Sequence, residues 1–156
     1  MFEKTVADIM TRNVVVLSEE DNLGLIEAGM ERYHFRHIPV VDGDRVVGIL
    51  SDRDLARLSA SPLEHRRDLG EHDKVVKART FVAEVMHRDV LTITPDTRIL
   101  AAARLVLGSK IGALPVVTAS GSLVGIVTTH DLLRAAIEAL EPSIAPPAAA
   151  PEDAGR

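Results

Sequence analysis

The chain contains no cysteine and no tryptophan, and its other aromatic residues are one tyrosine and three phenylalanines. Without cysteine the protein can form no disulfide, no thiolate metal site and no cysteine nucleophile. With so few aromatic rings, its hydrophobic core has to be built from valine, isoleucine, leucine, alanine and methionine side chains. The missing residue types therefore predict an aliphatic core in a chain without covalent cross-links.

Positive charge and long apolar runs are scarce as well. The formal net charge is −5 and the isoelectric point is about 5.6, which argues against a protein that grips a nucleic-acid backbone through bulk charge. No apolar run approaches the roughly 20 residues of a membrane helix, and the N-terminus has no apolar signal core. We expect a cytoplasmic protein with neither a membrane segment nor a nucleic-acid partner.

The sequence also lacks the familiar catalytic patterns. It has no Gly-x-Ser-x-Gly, no Walker-type phosphate loop and no paired acidic residues placed for acid–base chemistry. His34 and His37 are three residues apart, but no third ligand lies at the spacing of a zinc site, so we predict no metal site. His65, His72 and His87 are scattered and are interpreted as solvated connector or loop residues. The protein is therefore expected not to be an enzyme.

The chain does contain an internal repeat of three blocks that occur twice in the same order. Block A is residues 6–14 (VADIMTRNV) and 82–90 (VAEVMHRDV), block B is residues 38–41 (IPVV) and 114–117 (LPVV), and block C is residues 48–55 (GILSDRDL) and 125–132 (GIVTTHDL). The offset is 76 for blocks A and B and 77 for block C, so one residue was added in the turn before the second block C. Because there are only two copies, a closed pair with pseudo-twofold symmetry is expected rather than a solenoid.

Each copy is predicted to start with a strand and a helix. A short β-branched run, residues 14–17 in one copy and 90–93 in the other, is typical of a strand. Asp21 and Thr97 then stand where a helix N-cap belongs. Apolar residues at helical spacing predict one buried stripe per helix; they are Leu23, Ile26 and Met30 in the first copy and Ile99, Ala102 and Val106 in the second.

A hairpin and a second helix complete each copy. The proline in block B is typical of a strand start or edge. Turn residues at 42–44 and 118–122 separate this strand from a returning one at 46–50 and 123–127. The Ser or Thr of block C begins the second helix. Each copy is therefore a β-α-β-β-α unit, and the predicted fold class is α/β (α+β).

We predict four segments along the chain. Residues 1–60 and 81–140 form the two repeats, and residues 61–80 connect them. The charged stretch before the second repeat has weak amphipathicity, so it is interpreted as the tail of a helix followed by a solvated connector. Residues 141–156 are rich in proline and alanine and are predicted to be a disordered tail.

With all three blocks present twice and in order, the chain resembles the cystathionine-β-synthase (CBS) domain family. The resemblance covers about residues 6–55 and 81–137. It implies that two repeats pack through their sheets, with pseudo-twofold symmetry, into a Bateman module that has two clefts. It also implies a homodimer and an adenosine-containing ligand, such as AMP, ADP, ATP or S-adenosylmethionine, that regulates an effector protein still to be identified.

The resemblance assigns the ligand chemistry to block C. Asp54 and Asp131 are each expected to accept hydrogen bonds from the two ribose hydroxyls of the ligand. Ser51 and Thr128 begin helices, where free backbone N–H groups and a hydroxyl favour a phosphate. Arg53 and His130 lie between these residues and can add positive charge, Arg53 at every pH and His130 only when it is protonated.

The resemblance also implies that the ligands bind in clefts between the two repeats, with an adenine slot near each block C. Their predicted residues are Val16, Ser18, Arg36, His37 and Ile38 in the first copy, and Thr92, Thr94, Ile111, Gly112 and Ala113 in the second. Arg36, His37 and Arg53 make the first copy the more basic one. The first cleft is therefore predicted to prefer the more highly phosphorylated ligand.

Three alternatives stay open at this point. The Ser-x-x-Asp pattern of block C is also a variant of the helix capping box, which stabilises a helix without any ligand. The protein could be an interaction or structural dimerisation module whose clefts are vestigial. A small hydrolase is the third alternative, but the sequence offers no nucleophile or activated water for it. Met10 and Met86 recur at one position of block A and are interpreted as core filling.

Overall fold

The computed structural model describes residues 4–59 and 69–141. The predicted tail beyond residue 141 and part of the predicted connector lie outside the described residues. The elements in chain order are a 3-10 turn at Val6–Asp8, α1 Ile26–Tyr33, β1 His37–Asp42, β2 Arg45–Ser51, α2 Asp52–Ser59, α3 Leu69–Arg79, α4 Val82–Val85, α5 Ile99–Ser109, β3 Ala113–Val117, β4 Leu123–Thr128 and α6 Thr129–Leu140. Within these described ranges, no helix is both long and apolar enough to cross a bilayer.

Both predicted hairpins are confirmed. β1 pairs antiparallel with β2, with Ile38 opposite Leu50, and β3 pairs in the same way with β4, with Leu114 opposite Val127. These four residues belong to block B or to the strand that returns into block C. Each hairpin has a register shift at the same place of its first strand, so the two copies share even this irregularity.

The strands predicted at 14–17 and 90–93 do not form as strands. Only the last residue of each run pairs, Leu17 with Val40 and Ile93 with Val116, through isolated parallel bridges. Leu17 donates its N–H to Pro39 and accepts from the N–H of Val41. The preceding valines find no neighbouring strand, and a β-branched run without a partner cannot build a ladder.

The predicted N-caps are also wrong. α1 begins at Ile26, five residues after Asp21, and α5 begins at Ile99, two residues after Thr97. The carboxylate of Asp21 accepts the N–H of Ser18 at 2.7 Å, and the hydroxyl of Thr97 accepts the N–H of Thr94 at 3.2 Å. Both side chains close a turn before the helix, which is the other common use of such residues. Of the predicted stripes, Met30, Ala102 and Val106 are buried, and Ile26 and Ile99 are partly buried and pack against the cores. Leu23 is buried as well, but it precedes α1.

The two hydrophobic cores exchange their A blocks. Val82 and Met86 of the second copy lie in the core of the first, together with Leu23, Met30, Ile38, Val40, Leu50 and Leu55. Val6 and Met10 of the first copy lie in the core of the second, together with Ile93, Ala102, Val106, Leu114, Val116, Val127 and Leu132. Backbone hydrogen bonds fix the exchange, from Val82 N to Asp21 O at 2.9 Å and from Val6 N to Thr97 O at 2.8 Å. The packing units therefore differ from the sequence repeats.

Methionine sulfur makes the exchange close-packed. Met86 lies against Gly48, and Met10 lies against Gly125, at the first residue of each block C. A β-carbon at position 125 would stand 2.6 Å from the sulfur of Met10, and one at position 48 would stand 3.1 Å from Cγ of Met86. These glycines are needed for packing between the copies, because any larger side chain would overlap the thioether.

The two copies also join edge to edge. Thr11 forms a pair of backbone hydrogen bonds with Ile126, and His87 forms the equivalent pair with Ile49, each at 2.9 Å. A β-bridge between Arg45 and Ser122 adds a third junction near the hairpin turns. The expected packing of the two units through their sheets is therefore confirmed.

Helix α3 lies where a solvated connector was predicted. Its Lys77 is 2% exposed, and its ammonium group contacts both carboxylate oxygens of Glu27 on α1 at 2.7 Å. A buried lysine requires such a partner, because an unpaired charge in the protein interior is costly. The prediction of a solvated segment is wrong for this residue, and α3 is attached to the first copy by an ion pair.

Candidate functional site

Two clefts lie between the copies, with volumes of about 500 Å³ and 510 Å³. The first combines Ser51 and Asp54 of the first copy with residues 87–91 and 109–113 of the second. The second cleft is the symmetry counterpart, since it combines Thr128 and Asp131 with residues 34–38 and with residues near position 13. Each cleft is thus built from block C of one copy and from block A and the residues around the start of block B of the other.

The predicted grouping of adenine-slot residues with their own block C is therefore wrong. Ile111, Gly112 and Ala113 lie in the first cleft with Asp54, whereas Arg36 and Ile38 lie in the second cleft with Asp131. His37 and Gly112 line both clefts. The pseudo-twofold arrangement places the edge of each hairpin beside block C of the other copy. The local sequence pattern does not indicate which copy a hairpin edge contacts.

Four predicted slot residues line neither cleft; they are Val16, Ser18, Thr92 and Thr94. Val16 faces a separate cavity of about 220 Å³, and the backbone N–H groups of Ser18 and Thr94 are used in the turns described above. Neighbouring residues take their place, namely Val14 and Val15 in the second cleft and Val90 and Leu91 in the first. The prediction was displaced by one or two residues because the expected strand does not form.

Asp54 is held at the start of α2 by a capping interaction. Its Oδ2 accepts the backbone N–H of Ser51 at 2.8 Å and the Ser51 hydroxyl at 2.6 Å. The other oxygen, Oδ1, lies 2.9 Å from Nε2 of His87 and 3.6 Å from the guanidinium of Arg57. The side chain is only 4% exposed, so both oxygens are largely committed to protein groups.

Asp131 interacts with Thr128 as Asp54 does with Ser51, but its other oxygen has a different partner. Its Oδ2 accepts the N–H of Thr128 at 2.9 Å and the Thr128 hydroxyl at 2.8 Å, and Oδ1 lies 3.2 Å from Arg134. Thr128 in turn accepts the N–H of Asp131, which completes a capping box on α6. The capping interpretation of block C is confirmed in both copies. In each carboxylate, Oδ1 is the oxygen that the cap leaves for another partner.

Asp54 is ionised over a wide pH range. Burial by itself would raise the pKa of this carboxyl, but the hydrogen bonds from Ser51 and the nearby His87 outweigh it and hold the pKa below its ordinary value. A carboxylate is thus maintained in the first cleft, which is the acceptor state that hydroxyl groups of a ligand require.

His87 is a cleft-lining residue that sequence reasoning missed. It was interpreted as a solvated loop residue, but it lies in the first cleft and bonds to Asp54. The repeat contained a usable indication, because His87 is aligned with Thr11 in block A and the two copies differ there. A histidine in the one copy and a threonine in the other marks a difference between the clefts.

The helix starts are partly occupied by the protein itself. The N–H of Asp52 donates to Arg36 O at 3.1 Å, and the N–H of Thr129 donates to Gly112 O at 3.0 Å. These bonds consume one of the four N–H groups that a helix leaves open at its start. The phosphate position predicted at Ser51 and Thr128 therefore depends more on side-chain charge than on backbone donors.

Charge distinguishes the two clefts. The first is lined by the cations Arg53, Arg57, Arg88 and Lys110 and by the carboxylates of Asp54 and Asp89. The second is lined by Arg36 and Asp131, with His130 at its edge as predicted. Arg36 is paired with Asp52 at 3.2 Å. The first cleft is the more basic one, although only Arg53 of the predicted basic set supplies a fixed charge there.

Two cations of the first cleft are available to a ligand. Arg57 contacts Asp54, and Arg88 contacts Glu19 at 2.7 Å. The side chains of Arg53 and Lys110 form no ion pair or hydrogen bond with any part of the chain that the structure describes. A phosphate entering this cleft can therefore pair with them without breaking an existing salt bridge.

His37 forms the wall between the clefts. Its ring packs on Gly112 so closely that a β-carbon at position 112 would lie 2.6 Å from Nε2. Burial lowers the pKa of His37; the carboxylate of Asp52 opposes this effect and the charge of Arg36 adds to it. The imidazole therefore favours its neutral form, and His37 contributes less positive charge than its place in the predicted basic set implied.

Comparison with known proteins identifies the architecture. The family model of the CBS domain matches residues 6–61 and 82–138. A CBS domain-containing protein of Dictyostelium discoideum is 31% identical over 139 residues, which are 88% of this chain and 94% of that protein. Protein MJ1225 of Methanocaldococcus jannaschii is 31% identical over 84% of this chain, which spans only 46% of MJ1225. The chain covers a still smaller share, 23%, of an inosine-5′-monophosphate dehydrogenase from the same organism, at 29% identity.

Solved structures show the same fold. CBSX2 in complex with AMP superposes with a TM-score of 0.71 at 29% identity, and the match covers 87% of this chain and 98% of that chain. The crystal structure of MJ1225 gives a TM-score of 0.74 at 29% identity over 85% of this chain and 48% of that one. With two matches to the domain model and two α-β-β-α units that exchange their A blocks, the chain belongs to the CBS domain family and is a CBS pair.

Proposed function

We propose that this CBS pair is a regulatory module that binds adenosine-containing ligands in its two clefts and transmits their occupancy to a partner protein. AMP, ADP, ATP and S-adenosylmethionine are the candidate ligands. The observation that carries the proposal is the same pair of groups in both clefts: a capped carboxyl group of block C facing the hairpin edge of the other copy. The AMP complex of the related CBSX2 supports the choice of an adenosine compound.

The geometry suits a nucleotide in three respects. Asp54 and Asp131 offer acceptors for ribose hydroxyls, as predicted for them. Apolar residues such as Val14 and Leu91 offer a surface for a base. In the first cleft, Arg53 and Lys110 offer unpaired cations for phosphate. The hydroxyls of Ser51 and Thr128 are used in the caps of block C, where they donate to Asp54 and Asp131, so we propose a binding module and not an enzyme.

Occupancy can change the relation between the copies because both copies line each cleft. A ligand in the first cleft would contact α2 of one copy and block A of the other. Any ligand that binds one arrangement of the copies more tightly shifts the population toward it. This coupling supports transmission to an effector protein, whose surface is the remaining unknown.

The test is a binding titration of the full chain with AMP, ATP and S-adenosylmethionine, followed by thermal shift and calorimetry. At 100 times Kd a ligand should add about 2.7 kcal/mol to the free energy of unfolding. Asp54→Ala and Asp131→Ala should each remove one binding event. Asp52→Ala is the matched control, since this neighbouring carboxylate lines neither cleft and is paired with Arg36.

Each variant must be compared with its own ligand-free form, because losing a cap also costs about 1 kcal/mol of stability. The absence of any shift with every adenosyl compound would contradict the proposal. That result, combined with a stable dimer, would instead support the alternative of an interaction or structural dimerisation module.

The exposed surface of α5 and α6 supports the alternative of a dimerisation module. Exposed apolar residues follow one stripe of α6, at Leu133, Ile137 and Leu140, and another on α5, at Leu100 and Leu107. Exposed apolar stripes on neighbouring helices are typical of protein interfaces. We propose that this face is where two copies of the chain form a homodimer.

A further inference from the structure

The first cleft is partly filled by a side chain of the protein itself. His87 reaches from block A of the second copy to Oδ1 of Asp54, with 2.9 Å between Nε2 and the oxygen. At the equivalent position of the second cleft stands Thr11, whose backbone bonds to Ile126 just as that of His87 bonds to Ile49. Oδ1 of Asp131 contacts Arg134 of its own helix and no residue of the opposite copy among residues 4–59.

The contact between His87 and Asp54 occupies a carboxylate oxygen that a ligand could use. Oδ2 of Asp54 already accepts two hydrogen bonds from Ser51, so Oδ1 is the acceptor that a ribose hydroxyl would use. His87 and Arg57 are the groups at that oxygen, and Arg57 is the more distant at 3.6 Å. A ligand with a ribose diol must therefore displace the imidazole before it can bind Asp54.

We propose that His87 is a gate that occupies the ribose subsite of the first cleft and lowers its affinity for ribose-containing ligands relative to the second. The inference rests on the proposed function and names the residue that makes the two clefts unequal. The side chain of His87 is 59% exposed, so it can swing into solvent without leaving a cavity. Opening costs the Asp54 contact, and a fractionally open site binds with a correspondingly higher apparent Kd.

The gate also links the two copies. In the closed state, Asp54 of α2 holds block A of the other copy through His87. In the open state, the ligand takes over the carboxylate and this contact between copies is lost. Filling the first cleft thus exchanges one contact between the copies for a contact to ligand, which filling the second cleft does not do.

The experiment isolates the first cleft in an Asp131→Ala background and measures binding by calorimetry. His87→Thr, which installs the residue of the second cleft, should tighten AMP binding by about three- to tenfold, the value of one net hydrogen bond. Adenine, which has no ribose, and 2′,3′-dideoxyadenosine monophosphate, which has no diol, should bind equally well with and without the substitution. Circular dichroism and the ligand-free Tm verify that both proteins fold.

The reciprocal variant is Thr11→His in an Asp54→Ala background. It introduces a histidine at the matching position of the second cleft and should weaken AMP binding there, with adenine unaffected. AMP binding that is unchanged or weaker in His87→Thr, or a gain of equal size for adenine, overturns the gate. Failure of AMP, ADP, ATP and S-adenosylmethionine alike to bind the wild-type protein or any variant would instead overturn the proposed function, and the gate with it.

Discussion

The sulfur of Met10 lies against Gly125 so closely that a β-carbon at position 125 would stand 2.6 Å from it. The pair joins block A of the first copy to block C of the second. The same relationship exists between Met86 and Gly48. Block C is thus constrained twice, by packing at its glycine and by the cap at its aspartate, before any ligand is considered.

Gly125→Ala should lower the free energy of unfolding by about 1–3 kcal/mol, because overpacking forces Met10 out of its position. Urea denaturation measures the effect. Gly29→Ala is the matched control, since Gly29 lies within α1 and an added methyl group there would meet nothing within 4 Å. That control should be neutral or stabilising, as alanine favours helix. Equal losses in the two variants would contradict the packing argument.

The stability of the protein should fall on acidification below about pH 6.5 because of His37. Its pKa is lowered in the folded state from 6.5, so the unfolded chain binds the proton first and the folded state is disfavoured as the pH falls through that value. Stability from this residue is complete above pH 6.5 and decreases in the interval down to the folded pKa. Urea denaturation at several pH values should show that the free energy of unfolding of His37→Gln changes less steeply with pH than that of the wild type. An unchanged pH dependence would refute the assignment of this effect to His37.

Glu27→Gln should destabilise the protein by about 1–3 kcal/mol, since the buried ammonium of Lys77 loses its charged partner. Glu31→Gln, on the exposed surface of the same helix, is the control and should change stability by less than about 0.5 kcal/mol. Chemical denaturation measures both. If the two variants behave alike, α3 is not attached to α1 by this ion pair.

ATP should depend more than AMP on the unpaired cations of the first cleft. In an Asp131→Ala background, Lys110→Ala should weaken ATP binding by about five- to tenfold, and AMP binding less, because additional phosphate charge finds fewer partners. Arg104→Ala removes an exposed arginine of α5 outside the cleft lining and should change neither affinity. Equal losses for both ligands would contradict the predicted preference of the first cleft for more phosphates.

The homodimer is expected to separate when the apolar face of α5 and α6 is charged. Ile137→Glu places a carboxylate in the middle of the α6 stripe, where Ile137 is 51% exposed, and should convert a dimer into a monomer. Light scattering after size-exclusion chromatography measures the mass. Val75→Glu charges an exposed valine on α3 as a control and should leave the mass unchanged.

Local features of the fold could be predicted from sequence, and the features that join distant segments could not. The hairpins around Gly43 and Gly121 and the buried stripes on α1 and α5 follow from turn residues and periodicity, and the capping role of Asp131 follows from the Ser/Thr-x-x-Asp pattern of block C. The strands before α1 and α5 were overestimated because propensity does not supply a partner.

The exchange of A blocks was invisible for a different reason. Val6 and Val82 are the same residue type, as are Met10 and Met86, so each core would accept either block A. Periodicity identifies a buried face and leaves open which copy covers it. The same ambiguity applies to the clefts. For this reason Ile111 to Ala113 were predicted to lie with Asp131, whereas they lie with Asp54.

The exchanged A blocks make each half of the chain structurally incomplete. A fragment holding residues 1–59 would lack Val82 and Met86, and with them one side of its core. Complementary fragments should therefore assemble only with each other, and the intact protein should unfold in one cooperative transition rather than repeat by repeat. A polypeptide with a single repeat could complete its core only by trading block A with a second molecule. In this chain both repeats belong to one polypeptide, so the exchange of block A takes place within one molecule.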